Sequence, residues 1–173
     1  MLMGMSAVEK ENYERCLESG NQFQDYVVSM LIKHKGIVLS NFSSRLFQWS
    51  IGEGYQGFEI KFDAPSERGE NLLIETGERR SASGNWVKSG IHRDDNTDIY
   101  IIGNYEFFYV FDVKVLRRME ERSEFLRRHE TDTGQFFLLR KSEIEKTVPY
   151  IYKIDCGEEG KKLLSQVKET QSF

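Results

Sequence analysis

At 173 residues, with 39% hydrophobic, 30% charged and 13% aromatic content, the chain has the make-up of a folded globular protein and not of an extended disordered one. Its formal net charge of -4 gives no overall basic excess, so any nucleic-acid contact has to come from a local patch. Cys16 and Cys156 lie far apart without metal-ligand spacing, which predicts a reduced, cytoplasmic protein, and no apolar run nears the roughly 20 residues that span a bilayer, so no membrane partner is expected.

From about Val8 to Lys35 helix formers dominate without proline, and Phe23, Val27, Met30 and Leu31 recur at helical spacing before Gly36. Gly20 with Asn21 is a candidate break into two helices. Segments near Ile37-Ser40 and Leu46-Ile51 lean towards strand. Phe58-Glu59-Ile60-Lys61-Phe62-Asp63 and Asn71-Leu72-Leu73-Ile74-Glu75 alternate apolar and polar residues, as half-buried strands do. The polar link between them, Ala64 to Glu70 with Pro65 and Gly69, is short enough for a hairpin.

Residues 77–97 read as a loop, with Trp86-Val87 and Ile91 as its only apolar points of anchorage. Asp98 to Ile102 and Phe107 to Phe111 are near-continuous apolar runs, predicting strands covered on both faces. A helix is predicted over Val113 to Arg128, with Val115, Leu116, Met119 and Phe125 facing inward. A strand Phe136-Leu139, a short helix Ser142-Lys146, a strand Tyr150-Ile154 and a final amphipathic helix follow. The alternation of helices and strands predicts an α/β fold with helices packed on a sheet, in a single domain over residues 1–173.

Glu59 and Lys61, two apart on a strand, share a face. If the two alternating strands pair, Glu75 joins them from the neighbour, where opposed Cβ atoms stand about 4.5–5.5 Å apart. Two carboxylates so placed repel unless a cation sits between them. Mg²⁺ prefers such hard oxygen ligands, and a nearby lysine can orient a nucleophile or stabilise transition-state charge. Asp63 at the strand end and Glu53 in the turn Gly52-Glu53-Gly54 are further acids within reach. Glu-X-Lys on a strand is also commonly just a solvated face with weak ion pairs. Arg79, Arg80, Lys88, His92 and Arg93 decorate the loop after Glu75 and read either as phosphate contacts or as a solvated loop.

The succession Gly57-Phe58-Glu59-Ile60-Lys61-Phe62-Asp63, Asn71-Leu72-Leu73-Ile74-Glu75, Lys88-Ser89-Gly90-Ile91 and Asp98-Ile99-Tyr100 resembles the PD-(D/E)XK nuclease superfamily, and more narrowly its small phage-type, restriction-endonuclease-like members. The resemblance covers roughly residues 20–112, leaving 113–173 as a C-terminal helix and strand extension. It implies a restriction-endonuclease-like core, a mixed central β-sheet flanked by helices, and Mg²⁺- or Mn²⁺-dependent hydrolysis of phosphodiester bonds, with DNA as the expected partner and a homodimer left open. Carried over, Glu59 and Lys61 match the Glu-X-Lys pair and Glu75 the acid of the next strand. Under a second alignment Glu59 fills the Asp position and Glu75 the Glu position, with Lys61 supplying the ammonium and Gly77 at the lysine's place.

The chain departs from the pattern in two places. No Pro-Asp pair occurs, so Glu53 is the nearest upstream acid. On the first helix Phe23 is followed by Gln24, which makes Asp25 the substitute for the family's helical acid. The expected set is therefore Glu59, Lys61 and Glu75 as catalytic residues, Glu59, Glu75, Glu53 and Asp25 on the metal, and Arg79, Arg80, Lys88 and Arg93 on phosphates. The alternative is a catalytically inactive nucleic-acid- or protein-binding module that keeps the fold.

Overall fold

The computed structural model describes residues 7–123 and 127–170. The proline-free run of helix formers gives one long helix, α1 (Ala7–Lys35), which passes through Gly20 and Asn21 without a break. Glycine costs about 1 kcal/mol inside a helix, but burial of Phe23, Tyr26, Val27, Met30 and Leu31 just beyond it outweighs that loss. Gly36, at a φ of 66°, ends the helix.

Neither strand expected between residues 37 and 51 forms. Arg45–Ser50 is instead a short helix, α2, entered through Ser44 in extended backbone conformation at the N-cap position. Only an isolated bridge, Asn41 to Gly54, is β-like here. Leu46 and Phe47 are exposed, so the run has no buried face of the kind that selects a strand.

The strands divide between two four-stranded sheets. The first is mixed, in the order β1 (Phe58–Phe62), β4 (Ile99–Gly103), β5 (Phe107–Asp112), β8 (Tyr152–Asp155), with β1 and β4 parallel. The second is antiparallel, in the order β3 (Val87–Lys88), β2 (Asn71–Glu78), β7 (Gly134–Arg140), β6 (Arg127–Glu130). The α/β class and the mixed sheet with helices thus agree with the sequence reading, while the β1–β2 hairpin does not form. A 3-10 turn at Ala64–Glu67, with Pro65 in its first turn, carries the chain out of the first sheet. β1 then aligns with β4 from Phe58↔Ile99 to Phe62↔Gly103, and β2 with the apolar β7 from Asn71↔Arg140 onward.

The predicted helix after β5 is shorter than expected. α3 (Val113–Arg122) is capped by the Asp112 side chain and stopped at Ser123, whose φ is 53°. Arg127–Glu130 forms β6 rather than more helix, and Phe125 lies outside the described residues. The expected loop 77–97 includes the end of β2, the short β3 and a 3-10 turn at Gly90–His92. The short helix α4 (Lys141–Thr147) and the final helix α5 (Gly157–Thr170) fall where the pattern placed them.

Two hydrophobic cores lie on opposite faces of the mixed sheet. α1 covers one, packing Phe23, Tyr26, Val27 and Met30 on Phe58, Ile60, Ile101 and Phe108. The other is filled by Tyr100, Ile102, Tyr109 and Phe111 against Leu72, Ile74, Phe137 and Leu139 of the second sheet, with Leu116 and Ile144 closing its margin. The layers are therefore helix, mixed sheet, antiparallel sheet. Among the described residues no helix is long and apolar enough to cross a membrane.

Candidate active site

Because Phe58 and Ile60 turn towards α1, the alternation of β1 sends Glu59 and Lys61 to its other face, where the second sheet lies. Tyr100 stands opposite Glu59 in the parallel register and shares that face. β2 reaches the same place from its own sheet. Leu72 and Ile74 enter the core, while Glu75, at a register shift in the β2–β7 ladder, extends to Lys61. The three residues expected from a hairpin thus meet across two sheets.

Lys61 Nζ lies 2.8 Å from Glu59 Oε1 and 3.4 Å from Glu75 Oε2. Glu59 is 1% exposed, and neither of its carboxylate oxygens has a partner in hydrogen-bond geometry among the described residues, so the ammonium is its charge partner without being an aligned donor. The Tyr100 hydroxyl is also fully buried without a hydrogen-bond partner among the described residues. Burial, and next the Glu59 charge, push its phenol well above the ordinary range. Burial pulls the Lys61 ammonium down, but Glu59 and Glu75 outweigh it and hold the group protonated. The Ser89 hydroxyl hydrogen-bonds Glu75 Oε1 and fixes that carboxyl from its far side.

Glu53 completes the cluster from the segment before β1. Its Oε2 accepts the edge-strand N–H of Ile60 at 3.1 Å and the Gln24 amide at 3.4 Å. Burial, reinforced by the Glu59 charge, pushes the Glu53 carboxyl up to about 7. The turn that carries it needs glycine: Gly52 has a φ of 132°, and a Cβ there would stand 2.0 Å from the Asn96 side chain. Asp63 is separate from the cluster. Its Oδ2 accepts the Leu73 N–H at 2.9 Å, joining the end of β1 to β2, and burial pushes its carboxyl up to about 6.

Asp25 does not join these acids. It is exposed on α1, and the preceding residue, Gln24, makes the contact with Glu53. One helical step is about 100°, so two adjacent side chains cannot both face the site. The basic residues also sort differently from the expectation. Arg79 is tied to the β6–β7 turn by a 2.8 Å bond to the Asp132 carbonyl, and its guanidinium lies 4.2 Å from the Trp86 ring centre. Arg93 pairs with Asp95 at 3.0 Å and with the Gln48 carbonyl at 3.0 Å, bracing α2. Arg80 and Lys88 are exposed.

His92 pairs with Glu120 of α3, which also holds Arg128 at 2.8 Å. Burial raises the Glu120 carboxyl, but those two hydrogen bonds outweigh it and keep it below the usual carboxylate range. The pair ties the turn carrying Ser89 to α3. Ser89, within the Ser-Gly element, and Gln24, a departure from the family pattern, carry no role in the sequence pattern. Tyr100 was read only as strand. The signal for it was its place opposite Glu59, which depends on the parallel pairing.

No family model matches the chain, and no curated protein and no solved structure matches it. Among the described residues no three histidine, cysteine or acidic side chains form a group able to hold a metal ion by themselves. Mg²⁺ does not need three, since it is commonly held by one or two carboxylates with waters and substrate phosphates. Glu53 and Glu59 fit that requirement: Glu59 offers two buried oxygens without donors, and its charge bears directly on Glu53.

Proposed function

We propose that the chain is a metal-dependent nuclease with a restriction-endonuclease-like core that hydrolyses phosphodiester bonds, with DNA as its expected substrate. The observation that carries this reading is the convergence of Glu59, Lys61 and Glu75 between two sheets, with the Glu59 carboxylate buried and lacking hydrogen-bond donors. A purely structural ion pair in a protein interior ordinarily satisfies its remaining lone pairs.

Glu59 and Glu53 would hold Mg²⁺ or Mn²⁺, which supplies Lewis-acid stabilisation of phosphate charge and a more acidic bound water. The chain's own groups divide the remaining work. Lys61 is an ammonium at neutral pH, so it orients the attacking water and stabilises charge on the phosphoryl oxygens instead of accepting a proton. Glu75, held by Ser89, fixes the Lys61 ammonium from the second sheet. The Tyr100 hydroxyl, buried on the same face as Glu59 without a hydrogen bond to it, adds a further polar group to the site. Exposed Lys88 and Arg80 contact backbone phosphates on the approach.

One observation favours a second reading, a nucleic-acid- or protein-binding module without catalysis. Lys61 already faces both Glu59 and Glu75, so the protein offsets part of the negative charge by itself. A cleavage assay separates the two. Plasmid, linear, branched and single-stranded DNA and RNA are incubated with Mn²⁺, Mg²⁺ or EDTA, alongside Lys61→Ala and Glu59→Gln. Metal-dependent cutting lost in both variants is expected. No cutting of any substrate, or cutting that survives both substitutions, removes the nuclease assignment.

A further inference from the structure

Between Ile37 and Gly57 the only charged residues are Arg45 and Glu53, in a chain that is 30% charged overall. The segment is instead aromatic and polar. Tyr55 is 78% exposed, Leu46 68% and Phe47 49%. The aromatic ones meet on Phe42, whose ring lies 5.5 Å from Phe47 at 35° and 6.2 Å from Tyr55 at 66°. The backbone beneath is braced, because the Phe42 N–H donates to the Glu53 carbonyl at 3.0 Å, the Gln48 amide bonds the Phe42 carbonyl, and Arg93 holds the Gln48 carbonyl.

Phe42 therefore lies across the Asn41–Gly54 bridge from Glu53, and Tyr55 follows two residues after Glu53, whose carboxyl turns to the acidic cluster. A large ring left in water beside a proposed phosphodiester site has an evident use, since every base offers a π-face for stacking. Ser43 is exposed in the same segment, while Ser40, Asn41 and Gln56 brace it: Ser40 donates to Gln56, Gln56 to the Val38 carbonyl and Asn41 to Gln24. Within residues 37–57 Glu53 is the one carboxylate and it turns inward, and the neighbouring Asp95 is paired with Arg93, which limits repulsion against a polyanion. Duplex bases are stacked on each other and cannot use such rings.

We infer that the Phe42–Phe47–Tyr55 surface is a stacking platform for unpaired bases, so the substrate strand is single-stranded or locally unpaired beside the cut. The inference rests on the nuclease reading for its placement but makes its own claim about binding. The occupant is the unpaired stretch of a nucleic acid; a second copy of the chain is the competing occupant.

The test is fluorescence anisotropy in EDTA with a labelled 20-nucleotide single-stranded DNA, the same sequence as RNA, and the matching DNA duplex. The intact chain is compared with Tyr55→Leu and Phe47→Leu, which keep apolar bulk and remove the π-face, and with Phe47→Ala. Single strands are expected to bind at least tenfold tighter than duplex. Each ring substitution should weaken single-strand binding roughly 5- to 150-fold, the range of one lost stacking contact, without moving the melting temperature or the weak duplex binding. Equal binding of single strand and duplex, or ring variants that bind as the intact chain does, overturns the platform. So does a dimer in sedimentation that the same substitutions dissociate without any single-strand preference. Loss of all cleavage with this binding pattern intact refutes the nuclease and leaves the platform standing. Cleavage that the ring variants perform normally on single strands refutes the platform alone.

Discussion

Replacing Glu53 with glutamine should stabilise the protein at pH 8 and change it little at pH 5. The carboxyl ordinarily titrates near 4.5 and here is pushed up to about 7, first by burial and then by the Glu59 charge. The folded chain therefore holds this proton more tightly than the unfolded chain does. As pH rises from about 4.5 to about 7 the proton is lost against that preference, and stability falls across the same window. A shift of this size corresponds to about 3 kcal/mol at pH 8, taken as an upper figure. Glutamine keeps an oxygen to accept the Ile60 N–H and never ionises, so it removes the penalty. For a chain of this length that is about 6–12 °C in melting temperature.

The assay is urea and thermal unfolding of both proteins at half-unit steps from pH 5 to 8.5. An advantage for Glu53→Gln that grows with pH and levels off above 7 is expected. An advantage independent of pH, or a variant no more stable than the original at pH 8, refutes the electrostatic reasoning. The same titration carries a functional signature. On the proposed metal site a divalent cation would compete with the Glu53 proton, so stabilisation by Mg²⁺ should increase from pH 5.5 to 8 and be lost in Glu53→Gln, although that variant starts out more stable.

Three further outcomes follow from named contacts. Lys61→Met leaves the buried Glu59 carboxylate without its cation and should cost about 3–5 kcal/mol in urea unfolding; adding Glu59→Gln should recover most of that, and a double variant no more stable than the single one would contradict the pairing. Gly90→Ala places a Cβ 2.3 Å from the Glu75 carbonyl at a φ of 54°, so it should destabilise by about 1–2 kcal/mol from the backbone alone and also reduce cleavage by displacing Glu75; a change under about 0.5 kcal/mol would count against the described approach. Arg79→Ala should lower the melting temperature without altering the salt dependence of nucleic-acid binding, because its guanidinium is engaged by Asp132 and Trp86, whereas Lys88→Ala should reduce the slope of log affinity against log salt by about 0.7–0.9; the reverse assignment of effects would move the phosphate contact to Arg79.

Periodicity exposed the faces of β1, β2 and α1, because each has a single buried side and its apolar positions recur at the matching interval. It did not expose their partners. Pairing is decided by residues far along the chain, and nothing local to Ala64–Glu70 says that β2 will meet Phe136 to Leu139 and not the strand just before it. The end of α3 was illegible for a different reason. Charged residues from Arg117 onward suit a helix or an exposed edge strand equally well, and the left-handed Ser123 that decides the matter has no strong residue signature. At the site, Glu59 and Lys61 were legible because a spacing of two fixes a shared face in any strand. Gln24 in place of Asp25 was settled by helix phase: Phe23 is buried in the core, and Gln24, not Asp25, is turned to Glu53.

The failure of the hairpin bears on what the cluster is for. Adjacent strands of one hairpin bring polar side chains together on a solvated face at no special cost, so Glu59, Lys61 and Glu75 there would have been unremarked. Instead they meet between two sheets, where each of Glu59 and Tyr100 keeps a buried polar group without a hydrogen-bond partner and Glu53 resists ionisation until about pH 7. A buried unsatisfied group costs about 1–3 kcal/mol, and replacing a buried ion pair by packed apolar residues is often neutral or stabilising. Stability by itself would therefore favour leucine or phenylalanine at these positions, continuous with the Leu72, Ile74 and Ile102 core that adjoins them. Buried atoms of Asp95, Asn96 and Thr97 also lack hydrogen-bond partners, so what sets the cluster apart is that Glu59 and Tyr100 do so beside a second buried carboxyl and an ammonium, as a site organised around an external ligand would. Glu59 offers oxygens, Lys61 supplies positive charge held fixed by a second carboxylate, and Glu53 titrates where a proton or a cation can exchange at neutral pH. The phosphodiester and divalent cation of the proposed function would satisfy all three demands at once.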